Sequence, residues 1–444
     1  MRTALAAFCQ TERGPGPDLV LHVSQHDPSC PRHKPLQSGA MTPLSDLFRA
    51  FSKIGLLSFG GPVAQIGVMH RELVEHRGWL TDDQFSRGLS FSMLLPGPEA
   101  MQLCTYAGWR LRGTLGGLVA GALFVLPGAA FMAAITLAYL RWGNLPGVAP
   151  AFLGIKAAVL IVVAQALVRL GLRTLTTLPS LLLASAAFAL LLLGLPFPFV
   201  VLGAALYGGL RATGTAPLAF PLRRSARTAT LWLALWLSPV ALLYATQTQT
   251  QTQTQPMADL IGFFTRLAAF SFGGAYAALA WMSQAMVESH GWLTPAQMVD
   301  GLGLAETTPG PLILVTQFAA MVAVADHGTA TVLAAGTLTL WAIFAPCFGL
   351  VFALAPALDA LTRHPRLSAA LKAVSAAVTG VIAALALYFA GHTLFPGGIS
   401  LPGLSLPALG LTVLAALFLL PLRLPLPVAL VLLAGAGWWI GNLS

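Results

Sequence analysis

Ser58-Phe59-Gly60-Gly61 occurs again as Ser271-Phe272-Gly273-Gly274, 213 residues further on. At the same spacing Val74-Glu75 meets Val287-Glu288, and Gly78-Trp79-Leu80-Thr81 meets Gly291-Trp292-Leu293-Thr294. Gln84, Gly88-Leu89 and Pro96-Gly97-Pro98 meet Gln297, Gly301-Leu302 and Pro309-Gly310-Pro311. From the first serine to the last proline about 18 of 41 positions are identical without a gap. Chance does not produce such a run; a tandem duplication does. Lys53 falls opposite Arg266. With small shifts, Pro127 pairs with Pro346, Lys156 with Lys372, and Leu195-Pro196-x-Pro198 with Leu424-Pro425-x-Pro427. The two copies are expected over 45–211 and 258–444.

The duplicated unit is a membrane unit. Of 444 residues 57% are hydrophobic and 9% charged, against about 25% charged in soluble domains. The net charge of +9 comes from scattered cations, not from a phosphate-tracking face, so nucleic acid is excluded as a partner. Cys9, Cys30, Cys104 and Cys347 form no C-x-x-C pair, so neither a disulfide framework nor a zinc site is indicated. H-E-x-x-H, Walker A and G-x-S-x-G patterns are missing, which argues against an enzyme, a cofactor and ATP-driven pumping. The fold class expected is all-α, a polytopic membrane protein.

A hydrocarbon layer of about 30 Å takes about 20 apolar residues per helix. Candidates lie at 47–69, 85–107, 114–139, 148–170, 179–194, 196–210 and 229–246, then at 259–282, 298–323, 330–357, 368–392, 404–421 and 424–441. About 13 transmembrane segments result: six per copy, with 229–246 left over in the linker 212–257. One extra crossing inverts the second copy, so the expectation is a tandem inverted repeat of two six-segment halves. With the N-terminus inside, Arg110, Arg112, Arg169, Arg173, Arg211, Arg223, Arg224, Arg227, Arg363, Arg366 and Arg423 gather on the cytoplasmic side, as Lys and Arg prefer. Arg141 falls outside, and so does the loop with Arg71, Arg77 and Arg87, an exception that re-entrant first and second segments would remove. The uncharged Thr-Gln pairs from Thr246 to Gln255 read as a solvated spacer.

Residues 1–44 are expected to be a disordered extension. Ala4-Leu5-Ala6-Ala7-Phe8 is too short for a signal-peptide core, and Pro28 and Pro31 break the spacing that His22, His26, Cys30 and His33 would need to hold a metal. Translation is expected to start at Met41, with Ser45 or Asp46 as the first helix N-cap.

Inverted repeats in membranes commonly build transporters, whose substrates sit near the midplane between broken helices from both halves. Ser-Phe-Gly-Gly and Pro-Gly-Pro supply such breaks, with Pro96, Pro98, Pro309 and Pro311 removing N–H donors. Irregular backbone at membrane depth survives only where it lines a cavity or is buried in protein. Half-helices starting after Pro98 and Pro311 present positive dipole ends to an anion. Gly117-x-x-x-Gly121 reads instead as close helix packing. Ionisable residues inside apolar segments are candidates for function: Glu99 and Glu306 beside the Pro-Gly-Pro turns, Lys53 and Arg266 before the Ser-Phe-Gly-Gly runs, and Lys156 and Lys372, for which snorkelling to the interface is the plain alternative. Glu75 and Glu288 are expected to face solvent near an interfacial tryptophan. Gln102 and Gln317 could donate to an oxyanion.

Phe51-Ser52-Lys53-Ile54-Gly55 leading to Ser58-Phe59-Gly60-Gly61-Pro62, then Gly78-Trp79-Leu80-Thr81, then Leu95-Pro96-Gly97-Pro98-Glu99-Ala100-Met101-Gln102, closely resembles the chromate ion transporter (CHR) superfamily. The second copy, with Glu306-Thr307-Thr308-Pro309-Gly310-Pro311-Leu312, looks like the C-terminal half of its long-chain, two-domain members. Met93-Leu94-Leu95 departs mildly from the Gln-Leu-Leu common there. The resemblance implies a secondary transporter that exports chromate across the inner (plasma) membrane, coupled to protons taken up in exchange, and so confers chromate resistance. Sulfate is the expected competitor, and a second copy of the chain, as a homodimer, the expected protein partner. On this reading Lys53 and Arg266 attract the anion, with Lys156 and Lys372 as further candidates. Ser58, Gly60, Gly61, Gly97, Ser271, Gly273, Gly274 and Gly310, with Gln102 and Gln317, coordinate its oxygens. Glu99 and Glu306 carry the proton linkage, one of them uncharged when the anion is bound. Another oxyanion as cargo, and a membrane protein that binds without transporting, are the alternatives.

Overall fold

The computed structural model describes residues 42–143, 145, 148–213, 222–246, 255–272, 274–358, 361, 364–396, 400 and 403–441. The expectations for residues 1–41, for Gly273 and for most of the Thr-Gln spacer lie outside the described residues. Among those described the chain is helical, without strands. In the first copy α1 is Leu44–Leu57, α2 Gly61–His70, α3 Asp82–Ser92, α4 Glu99–Trp142, α5 Ala149–Thr174, α6 Leu178–Leu192 and α7 Phe197–Arg211. Then come α8, Leu222–Thr246, and in the second copy α9 (Gln255–Phe270), α10 (Ala275–Ser283), α11 (Pro295–Thr307), α12 (Val315–Ala323), α13 (Thr329–Leu354), α14 (Pro365–Leu394), α15 (Leu406–Leu419) and α16 (Leu426–Gly441). The α1 N-cap is Pro43, not Ser45 or Asp46. The extended backbone at Pro43 starts the helix two residues early, and Asp46 sits in the first turn, where the dipole favours it.

The segments expected at 47–69, 85–107, 259–282 and 298–323 do not cross; each folds back at its break. Lys53 and Glu72 are 19 residues apart, about 28 Å along a straight helix, yet they form an ion pair at 2.7 Å. Gly88 lies against Tyr106, and Gly301 against Phe318. The rings of Phe263 and Trp292 are 6.2 Å apart. Hydropathy alone cannot separate this from a crossing, because two short apolar helices and a glycine break sum to one span's length. The α4 helix contains a turn at Arg112 and Gly113, so residues 99–111 close the second hairpin and 114–142 run on as a long apolar rod.

Five helices among the described residues are long and apolar enough to cross a membrane: Glu99–Trp142, Pro150–Thr174, Ser225–Ala245, Thr329–Ala357 and Pro365–Leu394. The α6–α7 and α15–α16 pairs are built of shorter apolar helices. Gly117 and Gly121 of α4 receive the rings of Phe352 and Phe348, the expected use of that small-residue pair. The extra crossing, α8, leans on α13 through Trp236, whose indole donates to the Ala342 carbonyl at 2.8 Å.

Contacts between the copies fix their relative sense. The end of α7, at Gly208, packs on the start of α14 at Ala369, Ala370 and Ala373, and the end of α16, at Gly437 and Gly441, packs on Pro150 at the start of α5. Within a copy, α5 crosses once and α6–α7 go out and return, so the start of α5 and the end of α7 lie on opposite faces. The starts of α5 and of its counterpart α14 therefore face opposite ways. The repeat is inverted. With the hairpins folded back, Arg71, Arg77 and Arg87 join Arg110, Arg112, Arg211, Arg366 and Arg423 on one face, and the exception noted from the sequence disappears.

The duplicated Gly-Trp-Leu-Thr has a local cause. Each hairpin ends in a π-helical turn, Arg71–His76 or Gln284–Ser289, after which the Trp79 amide donates to Leu73 and the Trp292 amide to Met286. Thr81 with Gln84, and Thr294 with Gln297, then form capping boxes that start α3 and α11.

Candidate functional site

The hairpin tips of the two copies interlock. The Gly97 amide donates to the Ser271 carbonyl at 2.9 Å, and the Gly310 amide donates to the Ser58 carbonyl at 2.8 Å. Each Pro-Gly-Pro turn thus bonds the Ser-Phe-Gly-Gly turn of the other copy. Gly97 and Gly310 have φ of 112° and 92°, which a side chain rarely tolerates. A Cβ on Gly97 would also meet the Cys347 sulfur at 2.6 Å. Gln65 of α2 donates to the Gly310 carbonyl at 2.6 Å, and Gln102 donates to the Pro96 carbonyl at 2.6 Å.

A cavity of about 1010 Å3 lies beside the tips. Gly60 and Gly61, Gly97 and Glu99, and Gly274 and Ala275 line it, and these are the first residues of, or the residues before, α2, α4 and α10. Three helix N-termini therefore face one space, each with unpaired N–H groups and a positive dipole end. Glu306 at the end of α11 and Tyr276 of α10 complete this part, the Tyr276 hydroxyl donating to the Glu306 carboxylate at 3.0 Å. Glu99 lines the cavity half-buried, with no hydrogen bond to its side chain among the described residues. The far wall is α5, ending in Arg169 and Arg173, together with Arg423 from the α15–α16 turn. Arg173 is near enough for its charge to act on Glu99, and Arg169 likewise on Tyr276.

The residues singled out from the sequence divide into three groups. Gly60, Gly61, Gly97, Gly274, Glu99 and Glu306 line the cavity. Ser58, Ser271, Gly310 and Gln102 are buried behind it and hold the tips, the Ser58 hydroxyl being spent on the Ile54 carbonyl at 2.5 Å, while Gln317 is buried on α12 with its side-chain oxygen unpartnered among the described residues. The four cations lie outside the lining. Lys53 pairs with Glu72, which also takes Arg77 at 2.8 Å. Arg266 donates to its own helix, at the Gly262 carbonyl. Lys156 pairs with buried Asp300 at 3.3 Å, and Asp300 accepts from the Tyr139 hydroxyl at 3.1 Å. Lys372 is exposed on α14. Glu75 bonds His70 at 3.0 Å, and Glu288 is exposed.

Sequence reasoning missed Tyr276, Gln65 and the three arginines of the wall. Arg169 and Arg173 did carry a signal, since a spacing of four puts them on one face of an otherwise apolar helix. Arg423 carried none, because only the fold brings it to α5. Among the described residues no cluster of His, Cys, Asp and Glu could hold a metal.

The profile of the chromate transporter family matches this chain twice, over residues 45–209 and 258–439. The chain belongs to the chromate transporter family. A chromate transport protein of Pseudomonas aeruginosa is 34% identical over 406 residues, which is 89% of this chain and 92% of the relative. A probable chromate transport protein of Synechococcus elongatus is 32% identical over 397 residues, 89% of this chain and 95% of the relative. A chromate transport protein of Cupriavidus metallidurans is 30% identical over 361 residues, 79% and 84% of the two chains. No solved structure matches. As a member of this transporter family the chain is a multi-pass membrane protein, in keeping with its apolar helices.

Proposed function

We propose that this chain is a secondary transporter that moves chromate out of the cytoplasm across the inner membrane, coupled to protons, and so confers chromate resistance. The observation that carries this reading is the cavity where three helix N-termini, two carboxylates and three arginines converge beside the crossed turns. The relatives, whose names state chromate transport, supply the substrate. The arginine-rich face is the cytoplasmic one on the positive-inside rule. A negative-inside potential drives outward movement by about 2.3 kcal/mol per charge per 100 mV, and twice that for a dianion. Glu99 and Glu306 carry the proton linkage, because an ionised carboxylate repels a dianion and a protonated one does not. Sulfate, of similar size and charge, competes, and the working unit is a homodimer.

Radiolabelled chromate uptake into everted vesicles tests the reading, with and without a pH gradient and with sulfate as competitor. Saturable uptake that responds to the gradient and is lost in a Glu99→Gln, Glu306→Gln double variant is expected. Flux of sulfate without chromate would replace the substrate, and absence of any anion flux from the purified chain in liposomes would end the transporter reading. The mass of the detergent-solubilised particle checks the dimer.

A further inference from the structure

We propose that Arg169, Arg173 and Arg423 form the charge-matched capture site of the cavity, built for a divalent tetrahedral oxyanion. This rests on the transport reading above and replaces the four cations expected from the sequence, none of which lines the cavity. Arg169 and Arg173 stand one turn apart on α5, where like charges repel. Arg169 has one hydrogen bond, to Gln165 at 3.0 Å, and among the described residues no ion pair holds any of the three. Arg423 adopts a left-handed backbone, φ 49°, an unusual conformation for a side-chain-bearing residue, and the turn that imposes it brings a third guanidinium to the wall. All three are exposed, and all three line the space that Glu99 and Glu306 also line, which places the guanidinium groups at its water-accessible side.

The charges then select the guest. The described lining carries three arginines and two glutamates, a balance of +1 with both carboxylates ionised and +3 with both protonated. With one protonated it is +2, which a dianion cancels and a monoanion does not. Guanidinium forks also suit the paired oxygens of such an ion better than an ammonium does.

Chromate uptake in everted vesicles tests the assignment with Arg169→Gln, Arg173→Gln, Arg423→Gln and the conservative Arg173→Lys, and with Arg211→Gln, on the same face but outside the cavity, as control. A charged hydrogen-bond partner removed from a binding site weakens binding about tenfold or more. The expected result is a rise in KM of that size in the three Gln variants, a smaller rise in Arg173→Lys, a shallower rise of KM with ionic strength, and no change in Arg211→Gln. Unchanged KM in all three Gln variants, with chromate flux intact, overturns the site and leaves the chromate reading standing. If the wild type carries sulfate but not chromate and shows the same arginine dependence, the substrate falls and the site stands. The arms are repeated in liposomes of phosphatidylcholine alone. A wild-type KM raised there as far as in the Gln variants would mean that the arginines hold an anionic lipid headgroup, and would overturn the proposal.

Discussion

Where the first copy sets Val63 and Met93 against the cavity, the second sets Tyr276 and Glu306. The same inequality recurs at the other equivalent positions. Asp300 answers Arg87, so Lys156 has a carboxylate to pair with while its counterpart Lys372 is exposed. Gln65 answers Ala278, so the Gly310 carbonyl is clamped by a side chain of α2. Glu72 answers Ala285, so Lys53 has an acidic partner, whereas among the described residues Arg266 bonds its own helix. The copies share backbone devices, namely breaks, caps, π-helical turns and crossed amide bonds, but at each of these equivalent positions the polar side chain stands in one copy. Symmetry builds the scaffold, and asymmetry supplies the chemistry.

The largest effect should come from the cavity pair. Glu306→Gln is expected to abolish the pH dependence of flux in everted vesicles and to lower flux about tenfold or more, the factor that corresponds to roughly 1.4 kcal/mol. Met93→Gln, at the equivalent position, is expected to keep that pH dependence. Equal losses in both would mean that position 93 serves the proton function as position 306 does. Next is the buried ion pair. Asp300→Asn strands Lys156 and should destabilise the protein by about 3 kcal/mol, at the lower end for such a break because the lysine is partly exposed. Thermal unfolding in detergent measures it, and Lys372→Met should change stability by no more than about 0.5 kcal/mol.

Gln65→Ala removes the hydrogen bond that the Gln65 amide donates to the Gly310 carbonyl, a loss of about 1 kcal/mol. Hydrogen exchange should quicken at the Gly310 amide and stay unchanged at Gly97, whose turn has no clamp from Ala278. The smallest effect concerns Glu72, outside the membrane-crossing helices. Burial alone would raise its pKa, but hydrogen bonds from Lys53, Arg77 and His76 outweigh this and hold the carboxyl below its ordinary 4.5. A lowered folded value stabilises the protein above the unfolded pKa and is lost as pH falls through the folded one. The stability difference between wild type and Glu72→Gln should therefore be level above about pH 5 and shrink below 4.5.

The duplication, the breaks and the membrane class were legible because they are local: eighteen identities in register, Gly-Gly and Pro-Gly-Pro inside apolar runs, few charges. The direction of the chain after each break was not. Ser58 to Gly61 reads the same in a crossing helix as at a hairpin tip, and only the misplaced Arg71, Arg77 and Arg87 hinted at the second. The cations were harder still. Lys53 looked free because Glu72 lies 19 residues away, and Lys156 looked free because Asp300 lies in the other copy. Arg173 and Arg423 are separated by 250 positions in the chain and meet only because α15 and α16 return to α5.

The reciprocal amide bonds at Gly97 and Gly310 also bear on how such a molecule can be divided. A polypeptide ending after α8 would expose the Ser58 carbonyl and the Gly97 N–H at hydrocarbon depth, each a cost of several kcal/mol. Two half-chains made separately would each be short of what the other holds, so they should become competent only on meeting. Once joined, they would be as free to drift apart in side chains as the two copies here, while their crossed main chains kept them matched.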